Sequence, residues 1–339
     1  MKKSIFLLIV LGGILCFINL TSAQNAEEKP RCNSDQDCQR PGMRGFCQNP
    51  GQKTASCIFE EVVKVYSMAI VPQGCRTCHV EEVVNELKTI FPGLIVEYLD
   101  VTDPRAVKLI KDMKIEMLPA YILSKQVEKD VNFLRFRQIA DLINDQYYVK
   151  PSFAGVSYFV NRKADPGRLD LFLVLTQENA LSVLRLAKEL IDEKKDKIRF
   201  QLNFVGAHDP ETGELLSPGG KREINEEKMY ACVEQGYPQK TWDYLFCRTG
   251  SIDSLWWEDC LVKNDIDASK IKECVNNNNT DKLLKEKNQL SDGLKISYSP
   301  VFLLDNIEIF SITDKTNVGE IVRLIESKKD NPKGKKEKK

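Results

Sequence analysis

Several things this chain of 339 residues lacks narrow its function before any motif is read. Neither charge is in excess, with 49 Lys and Arg against 49 Asp and Glu, so nothing draws it to nucleic acid or an anionic surface. Beyond residue 20 no apolar run reaches the length of a membrane span. There are only two histidines. One of them, His208, lies in a polar loop from Gly206 to Gly220 with no second histidine and no cysteine nearby, which removes it as a metal ligand. No metal and no cofactor is expected.

Cysteine, by contrast, is plentiful. Eleven are present, and the N-terminus indicates the compartment they serve. Lys2-Lys3 is followed by a mostly apolar stretch, Ile5 to Leu20, and by the small residues Thr21-Ser22-Ala23. That order reads as a secretory signal over 1–23, with the mature chain starting near Gln24. A membrane anchor is the alternative, though the stretch is short for a span. Leu15 before Cys16 does not suit lipoprotein processing. Loss of the signal leaves ten cysteines, an even number, in an oxidising compartment. The expected location is a bacterial periplasm, with secretion from another cell type as the variant. At the other end, 328–339 carries seven lysines and no apolar anchor and reads as a disordered basic tail.

A mature chain of this length calls for two domains plus extras. The first extra is a module over 24–57, polar and almost without aliphatic residues, whose Cys32, Cys38, Cys47 and Cys57 are expected to form two disulfides in any of three pairings. Zinc is disfavoured because the gaps lack a close cysteine pair. From 58 to 150, short strand and helix signals alternate: Val62–Val71, a helix over 78–90, Leu94–Leu99, a helix opened by Asp103-Pro104, Tyr121–Leu123, and a closing helix starting in Phe136–Ile143. The same order returns over 151–327, through Leu169–Thr176, Asn179–Ile191, Ile198–Val205, a charged helical stretch, Val301–Leu304 with a hairpin into Ile307–Ile312, and Val318–Ile325. The helical stretch holds Cys232, Cys247, Cys260 and Cys274, expected as two structural disulfides, and ends near a polar turn at Asn276 to Asn279. Adjacent Trp256-Trp257 cannot both face inward from a regular helix.

The sharpest signal is Cys75-Arg76-Thr77-Cys78, set between the first strand and its helix. Cys75 there is expected to be exposed at the free N–H groups of the helix, which with Arg76 favour a thiolate and lower its pKa, while Cys78 lies a turn below as the resolving thiol. Glu81 and Glu82 oppose that effect.

With Met117-Leu118-Pro119 ahead of a strand, this region resembles the thioredoxin superfamily. The resemblance implies a cis Leu118–Pro119 bond beside the disulfide, presenting backbone to a bound peptide. The second copy resembles the thioredoxin-like domains with a helical insertion, the type of the periplasmic disulfide oxidases, on Tyr230 to Phe246 and on Ser299-Pro300 before the return strand. Where such a domain carries its cysteines, this copy reads Thr176-Gln177-Glu178-Asn179, so it is redox-inactive there. The first copy also departs from the family: Ala69 stands where a buried acid often assists proton transfer, and Gln73-Gly74 where an aromatic is common. Water, Glu81, Glu82 or His79 must then serve the proton.

The implied fold is α/β, with two tandem thioredoxin-like domains, a mixed sheet flanked by helices in each, and a disulfide-rich N-terminal module. The implied function is thiol–disulfide exchange or isomerisation on protein or peptide thiols, with an unidentified redox partner. Cys75 and Cys78 would be catalytic, with Arg76, Thr77, His79, Leu118 and Pro119 binding substrate or tuning the pair. The alternative is a non-enzymatic binding or assembly protein with a permanent Cys75–Cys78 bridge. Cys75 to His79 also fits the c-type haem attachment pattern, but a central strand ahead of it argues against haem. The purified protein is therefore expected to show no Soret band; a band would assign the pair to haem.

Overall fold

The computed structural model describes residues 32–40, 42–194 and 197–327, the side chains of 278 and 279 excepted. The expected signal segment and basic tail lie outside the described residues. The chain divides into two units, meeting between Glu61 and Val62. In the small unit, β1 (Met43–Gln48) and β2 (Ser56–Glu61) form an antiparallel hairpin with Cys47 opposite Cys57. Its buried cluster is little more than Cys32, Cys38 and Ala55. Two covalent links, Cys32–Cys47 and Cys38–Cys57, take the place of a core. Gly45 is required where it stands, because a Cβ there would lie 1.7 Å from the Cys38 carbonyl oxygen.

The large unit holds two α/β lobes. In the first, β3 (Val65–Val71) runs parallel to β4 (Leu94–Asp100), joined by α1 (Val80–Ile90). Val84 and Leu87 of α1 pack with Phe91 on one face of the sheet. On the other face lies α2 (Pro104–Asp112), begun by Pro104 and by the Asp103 carboxylate, which accepts the Arg105 N–H at 2.8 Å. Next come β5 (Met117–Leu118), the cis Leu118–Pro119 bond, and β6 (Ala120–Ser124), antiparallel to β3.

The closing helix expected from Phe136–Ile143 is replaced by other structure. After a single turn, α3 (Phe133–Phe136), the chain forms a hairpin of β7 (Ala140–Ile143) and β8 (Gln146–Val149), completing the order β4-β3-β6-β8-β7. The cause is Asn144-Asp145, both at positive φ, 51° and 63°, as a two-residue hairpin turn requires. The apolar spacing Phe136, Ile139, Ala140, Ile143 mimics a helix, but the turn decides.

The second lobe opens with β9 (Tyr158–Phe159) and continues through β10 (Arg168–Leu173), α4 (Ala180–Glu193) and β11 (Arg199–Phe204), which is parallel to β10. A small pair, β12 (Ala207–His208) and β13 (Leu215–Leu216), leads to the insertion: α5 (Gly220–Gly236), α6 (Thr241–Gly250), α7 (Glu258–Lys263), α8 (Ala268–Val275) and α9 (Asn278–Gly293). The residues read as a polar turn at 276–279 thus run into the start of α9. Cys232–Cys274 ties α5 to α8 and Cys247–Cys260 ties α6 to α7, around a core of Val233, Tyr244 and Leu261. Trp257 packs on that core, whereas Trp256 is exposed. After the cis Ser299–Pro300 bond, β14 (Val301–Leu304) turns through Asp305-Asn306, again at positive φ, into β15 (Glu308–Ser311), and α10 (Val318–Glu326) closes the lobe. The sheet order is β11-β10-β14-β15-β9-β5, so this sheet takes in a strand of the first lobe.

Helix α5 turns three glutamates inward. Glu226 pairs with Arg248, and Glu223 accepts the N–H groups of Leu175 and Thr176 at 2.6 and 2.7 Å. Glu227 accepts a long bond from the Asn288 amide, 3.3 Å, and among the described residues its Oε1 is without a hydrogen-bond partner. Burial, reinforced by the charge of Glu223, pushes Glu227 up to about 8. Below the ordinary carboxyl range both folded and unfolded chains carry this proton. From there to about pH 8 only the folded chain keeps it, so this group weakens folding as pH rises, by up to roughly 1.4 kcal/mol per pH unit. Thermal melts should show Glu227→Gln gaining stability over the parent progressively from pH 5 to 8. A constant difference across that range would refute the assignment.

Candidate active site

Three local features place the Cys75–Cys78 pair. Strand β3 delivers the chain to Pro72. A turn then folds back, with the Cys75 N–H donating to the Pro72 carbonyl at 3.3 Å and Gly74 at φ 76°. The carboxylate of Asp100, at the end of β4, accepts the Gln73 N–H at 3.0 Å and fixes that turn against the sheet. Cys75 and Cys78 are joined in a disulfide just before α1.

Cys75 was expected to be exposed, and it is not: the two cysteines are 3% and 2% exposed. The second lobe covers them. Ser157, just before β9, donates its N–H to the Leu118 carbonyl at 2.8 Å, and its hydroxyl lies 3.6 Å from Cys78 Sγ. Ser157 thereby brings Cys78 and the residue preceding cis Pro119 to one place. Beyond it Tyr158 pairs with Leu118 and Phe159 with Met117, and the Val160 N–H donates to the Glu116 carbonyl at 3.1 Å. An extended segment of the protein's own chain lies antiparallel along the edge beside the disulfide.

A second cover comes from β15. Glu308, 3% exposed, accepts the Arg76 N–H at 2.7 Å and the Thr77 N–H and hydroxyl at 3.3 Å, all through Oε2. Its Oε1 accepts the Arg76 guanidinium at 3.0 and 2.7 Å. Arg76 also reaches Asp305 Oδ2 at 2.6 Å and the Ile325 carbonyl at 3.3 Å. Burial works against the Arg76 charge, but its hydrogen bonds to Glu308 and Asp305 prevail and hold it above its ordinary pKa. Thr77 Oγ1 in turn lies 3.8 Å from Cys75 Sγ.

The structure therefore gathers Cys75, Cys78, Arg76, Thr77 and Leu118, with Pro119 following Leu118, at one place. His79 is mostly exposed and faces Glu82 at 3.6 Å. Thr77 and His79 line one end of a groove of about 430 Å³, whose wall includes Ser157, Phe310 and Glu320. The sequence reading did not include Ser157, Asp305 or Glu308. For Glu308 a signal was present, a lone carboxylate within the apolar run Ile307 to Ile312. At the other strand–helix junction, where no cysteine stands, Glu223 takes the Leu175 and Thr176 N–H groups and Ser299 Oγ accepts the Val174 N–H at 3.0 Å.

No protein-family model matches the chain. No curated protein matches it either. Among solved structures it is similar to the thiol-disulfide exchange protein alpha-DsbA2 from Wolbachia pipientis, at 14% identity and a TM-score of 0.37, covering 50% of this chain and 83% of that one. The DsbA disulfide interchange protein from Klebsiella pneumoniae gives 12% identity and 0.37 over 50% and 96%. Pseudomonas aeruginosa DsbA gives 11% and 0.37 over 49% and 82%. Likeness this slight leaves the fold resting on the strand order above.

Replacing Arg76 by methionine strands the Glu308 charge, and the expected loss is about 3 kcal/mol in urea unfolding. Adding Glu308→Gln should restore part of it. A double variant no more stable than Arg76→Met alone would refute the stranded Glu308 charge as the cause of the loss.

Proposed function

We propose that the chain is an exported thiol–disulfide exchange protein acting on protein or peptide thiols through Cys75 and Cys78. In this reading the first α/β lobe, which holds Cys75 and Cys78, carries the reaction, and the second, cysteine-free at its own junction, supplies cover and binding surface. The observation that carries it is the extended segment at 157–160, paired with the backbone of Glu116 to Leu118 and placing a hydroxyl 3.6 Å from Cys78 Sγ. An edge that holds an extended chain beside a disulfide is the geometry needed to present a substrate thiol to it. Substrate would take the place of that segment. The ten described cysteines, all in disulfides, support an oxidising compartment. Among the described residues no helix is long and apolar enough to cross a membrane.

The chemistry follows from thiolate exchange. An incoming thiolate attacks Cys75 Sγ, the Cys75–Cys78 bond breaks, and Cys78 leaves as a thiolate that takes up a proton. Either a second external thiol then releases Cys75 and leaves as part of a disulfide, or Cys78 re-attacks and restores the bridge. A second reading, a permanent bridge in a binding or assembly protein, is favoured by the burial of both sulfurs.

Thiol trapping in glutathione buffers separates the two. The exchange reading expects a midpoint between about −270 and −120 mV and turnover that stops with Cys75→Ser. A pair still oxidised below about −300 mV would be structural.

A further inference from the structure

The chain has alanine at position 69 and no acid there, yet a buried carboxylate does stand at the disulfide, brought from the other lobe. Two contacts link it to the sulfur: Glu308 Oε2 accepts from the Thr77 hydroxyl at 3.3 Å, and that hydroxyl oxygen lies 3.8 Å from Cys75 Sγ. Glu308 does three things there. It occupies the Arg76 and Thr77 N–H groups, which would otherwise be donors for an anion in the turn ahead of the helix. It pairs with the Arg76 guanidinium, offsetting the one cation within the motif. It also sets a negative charge one hydroxyl away from Cys75, in a place too dry for salt or water to screen it well.

We propose that Glu308 is a positioning residue that sets the redox balance of the Cys75–Cys78 pair, acting through Thr77 and Arg76 to disfavour the Cys75 thiolate and hold the pair oxidised. The proposal rests on the exchange reading above. Reduction adds two electrons and two protons, supplied in the test by two glutathione molecules that leave as their disulfide, and the reduced state passes through Cys75 as a thiolate. A carboxylate beside that thiolate is a like charge, while the donors and cation that would favour it are already engaged. The second lobe thereby counters the effect that Arg76 and the helix start would have alone.

The test uses the full chain and two variants, Glu308→Gln and Asp305→Asn. The first removes the charge at nearly constant shape. The second keeps every Glu308 contact and loosens the hold on Arg76; the asparagine amide oxygen still serves the Gly167 N–H that Asp305 Oδ1 accepts at 2.7 Å, and asparagine tolerates the positive φ of 51° at that turn. Near-UV circular dichroism reports whether each variant folds. Glu308→Gln is expected to shift the glutathione equilibrium toward the dithiol about tenfold, equivalent to about 30 mV less negative, and to make the Cys75 thiolate absorb at lower pH. Asp305→Asn should move both readouts in the same direction by less, so the proposal stays testable if Glu308→Gln fails to fold. A pair that is reversible but unmoved, or moved the other way, in the folded variants overturns the role of Glu308 and leaves the exchange reading standing. A pair that resists reduction in the parent and both variants, yet reduces after unfolding, overturns the exchange reading and this proposal with it.

Discussion

The carboxylate of Glu308 joins three layers of the molecule at one point. In its ladder Glu308 pairs with Tyr158, and Tyr158 pairs with Leu118, so β15, β9 and β5 fall in one row. A carboxylate this buried has to be met by donors, and the donors come from the cysteine motif itself. Apolar contact between the lobes could tolerate sliding. Arg76 Nε and Nη2 both donate to Glu308 Oε1, Nη2 also donates to Asp305, and Nη1 to the Ile325 carbonyl, a set that fixes a single register.

The two strand–helix junctions reach the same arrangement by different routes. In the first lobe Glu308 caps Arg76 and Thr77 from a neighbouring hairpin; in the second Glu223 caps Leu175 and Thr176 from the insertion. In each case backbone donors ahead of a helix meet a side-chain carboxylate. The difference is the sulfur, present at one junction and absent at the other. The insertion therefore completes the second lobe's own junction, beyond whatever surface it adds, and the Cys232–Cys274 disulfide ties α5, the helix from which Glu223 reaches in, to α8.

What could be read from the sequence was local. The strand ending at Val71, the cysteines after it, the helix from Val80 and the two prolines that prove cis each depend on a dozen residues or fewer. The strand–helix–strand order at the start of each lobe was legible for the same reason. The hairpin at Asn144-Asp145 was misread because its apolar spacing fits a helix until the turn residues are weighed. The burial of Cys75 was not legible, and neither was the carboxylate beside its motif: Glu308 lies 232 positions from Arg76, and no periodicity carries information across that gap. The module's pairing, Cys32 with Cys47 and Cys38 with Cys57, likewise needed the hairpin register.

That same separation sets an order of events for the growing chain. The strands and helix around the cysteines close over short loops, whereas the Arg76 contact with Glu308 waits until nearly the whole chain exists and a very long loop has closed. Until residues 305–308 arrive, Arg76 and Thr77 lack the carboxylate partners that Asp305 and Glu308 supply. The hairpin of β14 and β15 is what closes the contacts around Arg76 and Thr77.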